Sequence, residues 1–308
     1  MDKLEIIRRH RINKLSKCMK VPLYIHLEVT TICTVGCSQC YANSTFKGSE
    51  MDYSLCKKII DDAYKLGIPR ILITGGEPLS YTHLLECIDY IISKGIIAVI
   101  STSGVGLKKE LLEILEFKNH LIEFHVSLNG SKPTIHNLSR AKFFNSLGAI
   151  KLLKSHNFFC GINWVAREDN LNDFVNLTIL ARDNNVNCIT ILANKAREGI
   201  IDSKLSKENF MDLKRYIIES RKHLNVLVEP CFTELNTALN EINCFNSNCM
   251  ASTIFFDILN DGSISPCRHS NIFENSLALK YSIEYIWENS KSLTSFRDNK
   301  CNIITCKK

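Results

Sequence analysis

Long apolar runs are missing from this sequence. The most hydrophobic stretches, such as Ile96 to Ile100, are strand-sized, far below the roughly 20 residues with which a helix crosses a bilayer, so no membrane-spanning segment is expected. Arg8, Arg9 and Arg11 are followed by no apolar region of signal-peptide length, so export is not expected and a cytoplasmic location is. Blocks of like charge are absent too. The formal net charge is +6, but Lys and Arg are scattered along amphipathic segments, the pattern of solvated helix faces and not of a nucleic-acid footprint. Low-complexity tracts and long-period repeats are lacking. With 45% hydrophobic and 23% charged residues the chain is an ordinary folded protein, and its 308 residues suffice for a main domain and a smaller one.

What is present is an alternation of short β-branched runs with longer amphipathic ones, the pattern of βα units around a parallel sheet. Strands are predicted at Leu23–Val29, Arg70–Thr74, Ile96–Ser101, Leu121–Leu128, Phe159–Val165 and Asn187–Leu192. Helices are predicted at Ser54–Leu66, Thr82–Lys94, Lys108–Phe117, Asn145–Ser155, Asn172–Asn184 and Lys207–Lys222, with Gly67, Gly95 and Gly104 as punctuation. Six units fall short of the eight that close a standard barrel. The expected fold is therefore α/β, a partial (β/α)6 TIM-like barrel over residues 23–224. A basic helix and linker (1–22) would precede it, and a small cysteine-rich domain (225–308) would follow where the alternation stops.

Fourteen cysteines are many for a chain placed in a reducing compartment, where metal ligation or redox chemistry is a better reading than a disulfide framework. Cys33, Cys37 and Cys40 are spaced C-x3-C-x2-C just after the first predicted strand. Three thiolates on a cubane iron–sulfur cluster leave one iron open to a ligand. Structural zinc is the rival, although it wants four protein ligands and no fourth follows closely. Thr74-Gly75-Gly76-Glu77-Pro78 ends the second strand; its glycines permit close backbone approach and its carboxylate suits an ammonium, while a plain turn is the alternative. Ser101-Thr102-Ser103-Gly104 and Ser127-Leu128-Asn129-Gly130 end the third and fourth strands. In parallel α/β folds these ends share one site.

The cysteine loop, with these motifs in this order, resembles the radical S-adenosylmethionine superfamily across residues 23–308 and most closely across 29–140. The resemblance implies a 4Fe-4S cluster on Cys33, Cys37 and Cys40, whose open iron is chelated by S-adenosyl-L-methionine. Reductive cleavage of that cofactor then yields a 5'-deoxyadenosyl radical that takes hydrogen from a substrate. It also implies that Gly75, Gly76, Glu77 and Pro78 serve the methionine amino group. Ser101, Ser103, Ser127 and Asn129 would serve the ribose or the carboxylate, with Asn163 a further ribose or adenine candidate. Arg140, in a His136-x3-Arg140 pair, would fork onto the cofactor carboxylate. Relatives carry an aromatic residue where this chain has Gln39, so Tyr41 is the expected adenine cover.

Cys249, Gly262 and Cys267 resemble the opening of the auxiliary modules called SPASM and twitch. An auxiliary 4Fe-4S cluster is expected on Cys249, Cys267, Cys301 and Cys306, with Cys244 competing for a place and a zinc knot on the same cysteines as the rival. Cys231 is read as core or as a hydrogen-atom donor, and Cys18, Cys56, Cys87, Cys160 and Cys188 as core. Family habit implies a ribosomally made peptide as substrate, modified by a thioether, a crosslink or epimerisation, with a flavodoxin- or ferredoxin-type electron donor. The alternatives are a small-molecule or sugar dehydrogenase of the same superfamily and a zinc-binding interaction protein on a degenerate barrel.

Overall fold

A computed structural model describes residues 19–38, 40, 42, 44–195, 205–239 and 249–299. Six parallel strands lie where the β-branched runs predict them: β1 (Tyr24–Thr30), β2 (Arg70–Gly75), β3 (Ile97–Thr102), β4 (Ile122–Ser127), β5 (Phe159–Ala166) and β6 (Cys188–Ala193). Three more join the same sheet. The short β7 (Val226–Val228) runs parallel to β6, while β8 (Asp257–Ile258) pairs parallel with β1 and antiparallel with β9 (Ile264–Ser265). The order is β7-β6-β5-β4-β3-β2-β1-β8-β9, an unclosed sheet among the described residues. One sheet thus crosses the boundary expected near residue 225, and the segment after it adds strands to the barrel sheet.

The helices that cover the sheet are α1 (Tyr53–Lys65), α2 (Leu84–Ser93), α3 (Lys109–Leu115), α4 (Pro133–His136), α5 (Phe143–Ser155), α6 (Phe174–Asp183) and α7 (Lys207–Ser220). Their starts are chemically marked: Asp52 accepts from the Ser54 amide at 2.7 Å ahead of α1, and Ser206 accepts from the Asn209 amide at 3.2 Å ahead of α7. Leu55, Ile59, Ile60 and Ala63 of α1 recur at helical spacing and are buried against the sheet.

Strand pleating decides what faces where. Ile25, Leu27 and Val29 of β1 and Ile122, Phe124 and Val126 of β4 turn into the helix layer and are wholly buried. The intervening Tyr24, His26, Glu28, His125 and Ser127 face the inside of the curved sheet and line its cavity. Apolar positions therefore build the core, and the polar alternates are presented to whatever the cavity holds.

Candidate active site

The segment after β1 is tied down on both sides before it presents its cysteines. Thr31 donates from its amide to Ser49 O at 2.8 Å, Cys33 to Thr45 O at 2.9 Å, and Ser38 to Ser139 O at 3.1 Å. Cys33, Cys37 and Cys40 are each half-buried. They are electrostatic neighbours, and burial raises the Cys33 and Cys37 thiols above the ordinary range while the Arg140 guanidinium opposes this at Cys37. Among the described residues no three Cys, His, Asp or Glu side chains converge on a single metal ion. A cubane makes a different demand, one thiolate at each of several corners. Tyr41 lies outside the described residues.

The glycine-rich turn at the end of β2 packs closely on the cysteine segment. A Cβ on Gly75 would stand 2.2 Å from Thr30 O, and one on Gly76 would stand 2.3 Å from Ile32 O. Only glycine lets β2 press against the cysteine segment, where the amide of Gly76 donates to Thr30 O at 2.7 Å and that of Glu77 to Ile32 O at 2.8 Å. The close approach is to protein backbone. Glu77 is buried at 2% exposure and accepts from the Leu79 amide, the Thr102 hydroxyl, and the amide and hydroxyl of Ser103. Ser103, expected at the ribose or the cofactor carboxylate, is thus turned away from the main cavity to satisfy the Glu77 carboxylate, and its carbonyl accepts from the Ser146 hydroxyl. Buried Pro78 starts a single 3-10 turn, Pro78–Ser80.

Ser101, Ser127, Asn129, Arg140 and Asn163 line the cavity together with Cys37. Asn163 Nδ2 is 3.4 Å from Ser101 Oγ across β3 to β5. Asn129 serves as a knot: its Nδ2 donates to Ser139 Oγ at 2.8 Å and its Oδ1 accepts from the Val165 amide at 3.2 Å. Its own amide donates to His136 Nδ1 at 3.1 Å, which leaves the ring proton on Nε2, facing Ala141 O at 3.3 Å. Burial pushes His136 down to about 4, so the ring is a neutral strut that holds the Ser139–Arg140 segment beside Cys37. Arg140 Nε is buried with no hydrogen-bond partner among the described residues. An orphaned guanidinium donor beside the Cys37 thiol suits an anionic ligand group such as a carboxylate.

The cavity has a volume of about 520 Å³ and extends from Cys37 and Arg140 to a second cysteine group, Cys231, Cys249 and Cys267. Several charged side chains on that route escaped the sequence reading. Glu28, 4% exposed, accepts from Arg268 Nε at 3.0 Å, and burial raises its carboxyl against the opposing pull of Arg268. Lys195, past the end of β6, pairs with Glu229 at 2.8 Å. His26 Nδ1 lies 2.8 Å from Asp257 Oδ1, off the axis a hydrogen bond requires. Burial, with the Lys195 and Arg268 cations nearby, holds His269 down to about 3. The polar alternation Tyr24-x-His26-x-Glu28 in an otherwise apolar strand is the signal that would have marked the first wall; nothing local marks Lys195 or Glu229. Cys56, Cys87, Cys160 and Cys188 are buried away from this cavity, as expected of core thiols. Cys18, Cys244, Cys301 and Cys306 lie outside the described residues.

Comparisons with known proteins bear on the family and the fold. Residues 27–181 match the model of the radical SAM superfamily. The chain is similar to the AdoMet-dependent heme synthase of Methanosarcina barkeri (strain Fusaro / DSM 804), 22% identical over 93% of this chain and 89% of that protein. It is also similar to the antilisterial bacteriocin subtilosin biosynthesis protein AlbA of Bacillus subtilis (strain 168), 28% identical over 49% of this chain and 35% of that protein. Among solved structures, Streptococcus suis SuiB bound to S-adenosylmethionine superposes with a TM-score of 0.77, at 19% identity over 96% of this chain and 71% of that one. Native anSMEcpe with bound AdoMet superposes with a TM-score of 0.69, at 14% identity over 89% of this chain and 83% of that one.

Proposed function

The chain belongs to the radical SAM superfamily, and from that premise we propose that it modifies a peptide held in the cavity between its two cysteine groups. Family membership makes it an enzyme that uses a 4Fe-4S cluster and S-adenosylmethionine. In this reading Cys33, Cys37 and Cys40 hold the cluster, and Arg140 offers its unpartnered Nε to the cofactor carboxylate. Ser101, Ser127 and Asn163 offer hydroxyl and amide groups to the ribose from the strand ends. Asn129 and His136 keep Arg140 in place. Glu77, its four lone-pair sites taken by the Leu79 amide, the Thr102 hydroxyl and the amide and hydroxyl of Ser103, fastens β2 to β3 beneath the cysteines. When bound, cluster and cofactor together supply the one-electron cleavage from which the substrate-oxidising radical derives. The chain's own part is to orient both ligands and to enclose them.

The observation that carries the peptide reading is the cavity itself. About 520 Å³ lies within the range of small-ligand sites, and it continues past the cofactor-facing strand ends to Cys231, Cys249 and Cys267. That leaves a walled space for a side chain next to a second set of sulfur ligands, which fits an auxiliary cluster held by Cys249, Cys267 and cysteines outside the described residues. A relative named for bacteriocin biosynthesis, and a SuiB structure bound to its precursor peptide, support a peptide. The test is anaerobic reconstitution followed by assay of 5'-deoxyadenosine with and without candidate precursor peptides, with mass analysis of the peptide. Release that no peptide stimulates and no peptide mass change accompanies would refute it.

A second reading is favoured by one observation: the heme synthase similarity spans 93% of the chain, the AlbA similarity 49%. A small-molecule substrate oxidised in the same cavity is that reading, and product analysis with small carboxylated substrates separates the two.

A further inference from the structure

The open sheet ends in two edges that the cavity brings together. Cys231 follows β7 at one edge and Cys267 follows β9 at the other, and both line the same cavity wall as Cys249. Cys231 and Cys267 are electrostatic neighbours, and both act on the same two buried groups, Tyr24 and Lys195. The Cys231 thiol lies beside the Lys195–Glu229 ion pair, which is 2.8 Å long. Cys160 is buried in the core and away from the cavity; Cys231 lines the cavity, at a seam where a second thiol arrives from the far end of the sheet.

We propose that Cys231 is a thiolate ligand of the auxiliary cluster, joining Cys249 and Cys267 so that the cluster bridges the two edges of the open barrel. The inference rests on the auxiliary cluster proposed above and adds a ligand that cysteine spacing alone does not select, since Cys231 lies eighteen residues before Cys249. Lys195 supplies the positive charge that offsets clustered sulfur anions, and Glu229 keeps that ammonium in place. A hydrogen-donor role makes a different demand, because a donor thiol carries no metal.

The test uses the full chain with Cys33, Cys37 and Cys40 all changed to Ala, so that only the auxiliary cluster remains, reconstituted anaerobically and analysed for iron, sulfide and electron paramagnetic resonance. This background should bind about four irons, and adding Cys231→Ala should remove most of them and the reduced-cluster signal. Adding Cys160→Ala, a buried core thiol, should leave both unchanged. Circular dichroism of the metal-free proteins checks that each variant folds, and Cys231→Ser provides a second variant of nearly native volume. Retention of about four irons by both Cys231 variants would overturn the inference while leaving the auxiliary cluster standing. A background that binds no iron would overturn the auxiliary cluster and this inference together.

Discussion

Gly76→Ala should disable the site without touching a ligand. The added Cβ would sit 2.3 Å from Ile32 O, 2.7 Å from Ile32 C and 2.9 Å from Thr31 C. All three are backbone atoms, so no rotamer change relieves the clash. Restoring ordinary contact at about 3.5 Å requires β2 and the cysteine segment to part by roughly 1 Å. That lengthens the 2.7 Å Gly76–Thr30 and 2.8 Å Glu77–Ile32 hydrogen bonds together. Each bond contributes about 1 kcal/mol and leaves a buried amide unsatisfied if broken, so a loss of about 2–4 kcal/mol is expected. For a domain this large that lowers the metal-free Tm by on the order of 5–10 °C. Displaced thiols should also reduce iron retention and 5'-deoxyadenosine formation by more than tenfold. Differential scanning calorimetry and iron analysis read the two effects. Gly148→Ala is the control, since its Cβ meets nothing within 4 Å and it lies inside α5; it should be neutral or slightly stabilising. Equal behaviour of the two variants would refute the reasoning that Gly76 exists for backbone contact.

Cys37→Ala should abolish S-adenosylmethionine cleavage, whereas Cys267→Ala should keep uncoupled cleavage while losing product; cleavage assays with product analysis check both. Arg140→Met should weaken S-adenosylmethionine binding about 10- to 100-fold through the loss of one charge-assisted contact, measured as the rise in cofactor Kd. His136 stays neutral in the fold down to about 4, below its unfolded value of 6.5. The unfolded chain therefore binds the proton that the folded one refuses, and stability falls as pH drops from 6.5 towards 4. That loss approaches about 3 kcal/mol, and urea titrations should show His136→Gln with a flatter dependence over that window.

The regular framework was legible because it is local. Predicted β1 to β6 agree with the observed strands to within one or two residues, since β-branched runs and helix caps act over a few positions. Strands β7, β8 and β9 were not legible: two or three residues carry no period, and pairing with a neighbour distant in sequence is what makes them strands. Ser101, Ser127 and Asn163 reached the cavity as strand-end residues should. Ser103 did not, because the buried Glu77 carboxylate claims its hydroxyl and amide.

By itself the sequence determined the chemistry: a three-cysteine loop, the strand ends facing it, and the alternation that turns apolar residues towards helices and polar ones towards a lumen. Tertiary structure decided who meets whom. Gly76 touches Ile32, Asn129 ties His136 to Ser139, and Cys231 stands beside Cys267 and Lys195, because a twisted parallel sheet curls until residues from opposite edges share one cavity wall. That curvature sums small rotations over many strands, and no local run of residues encodes it.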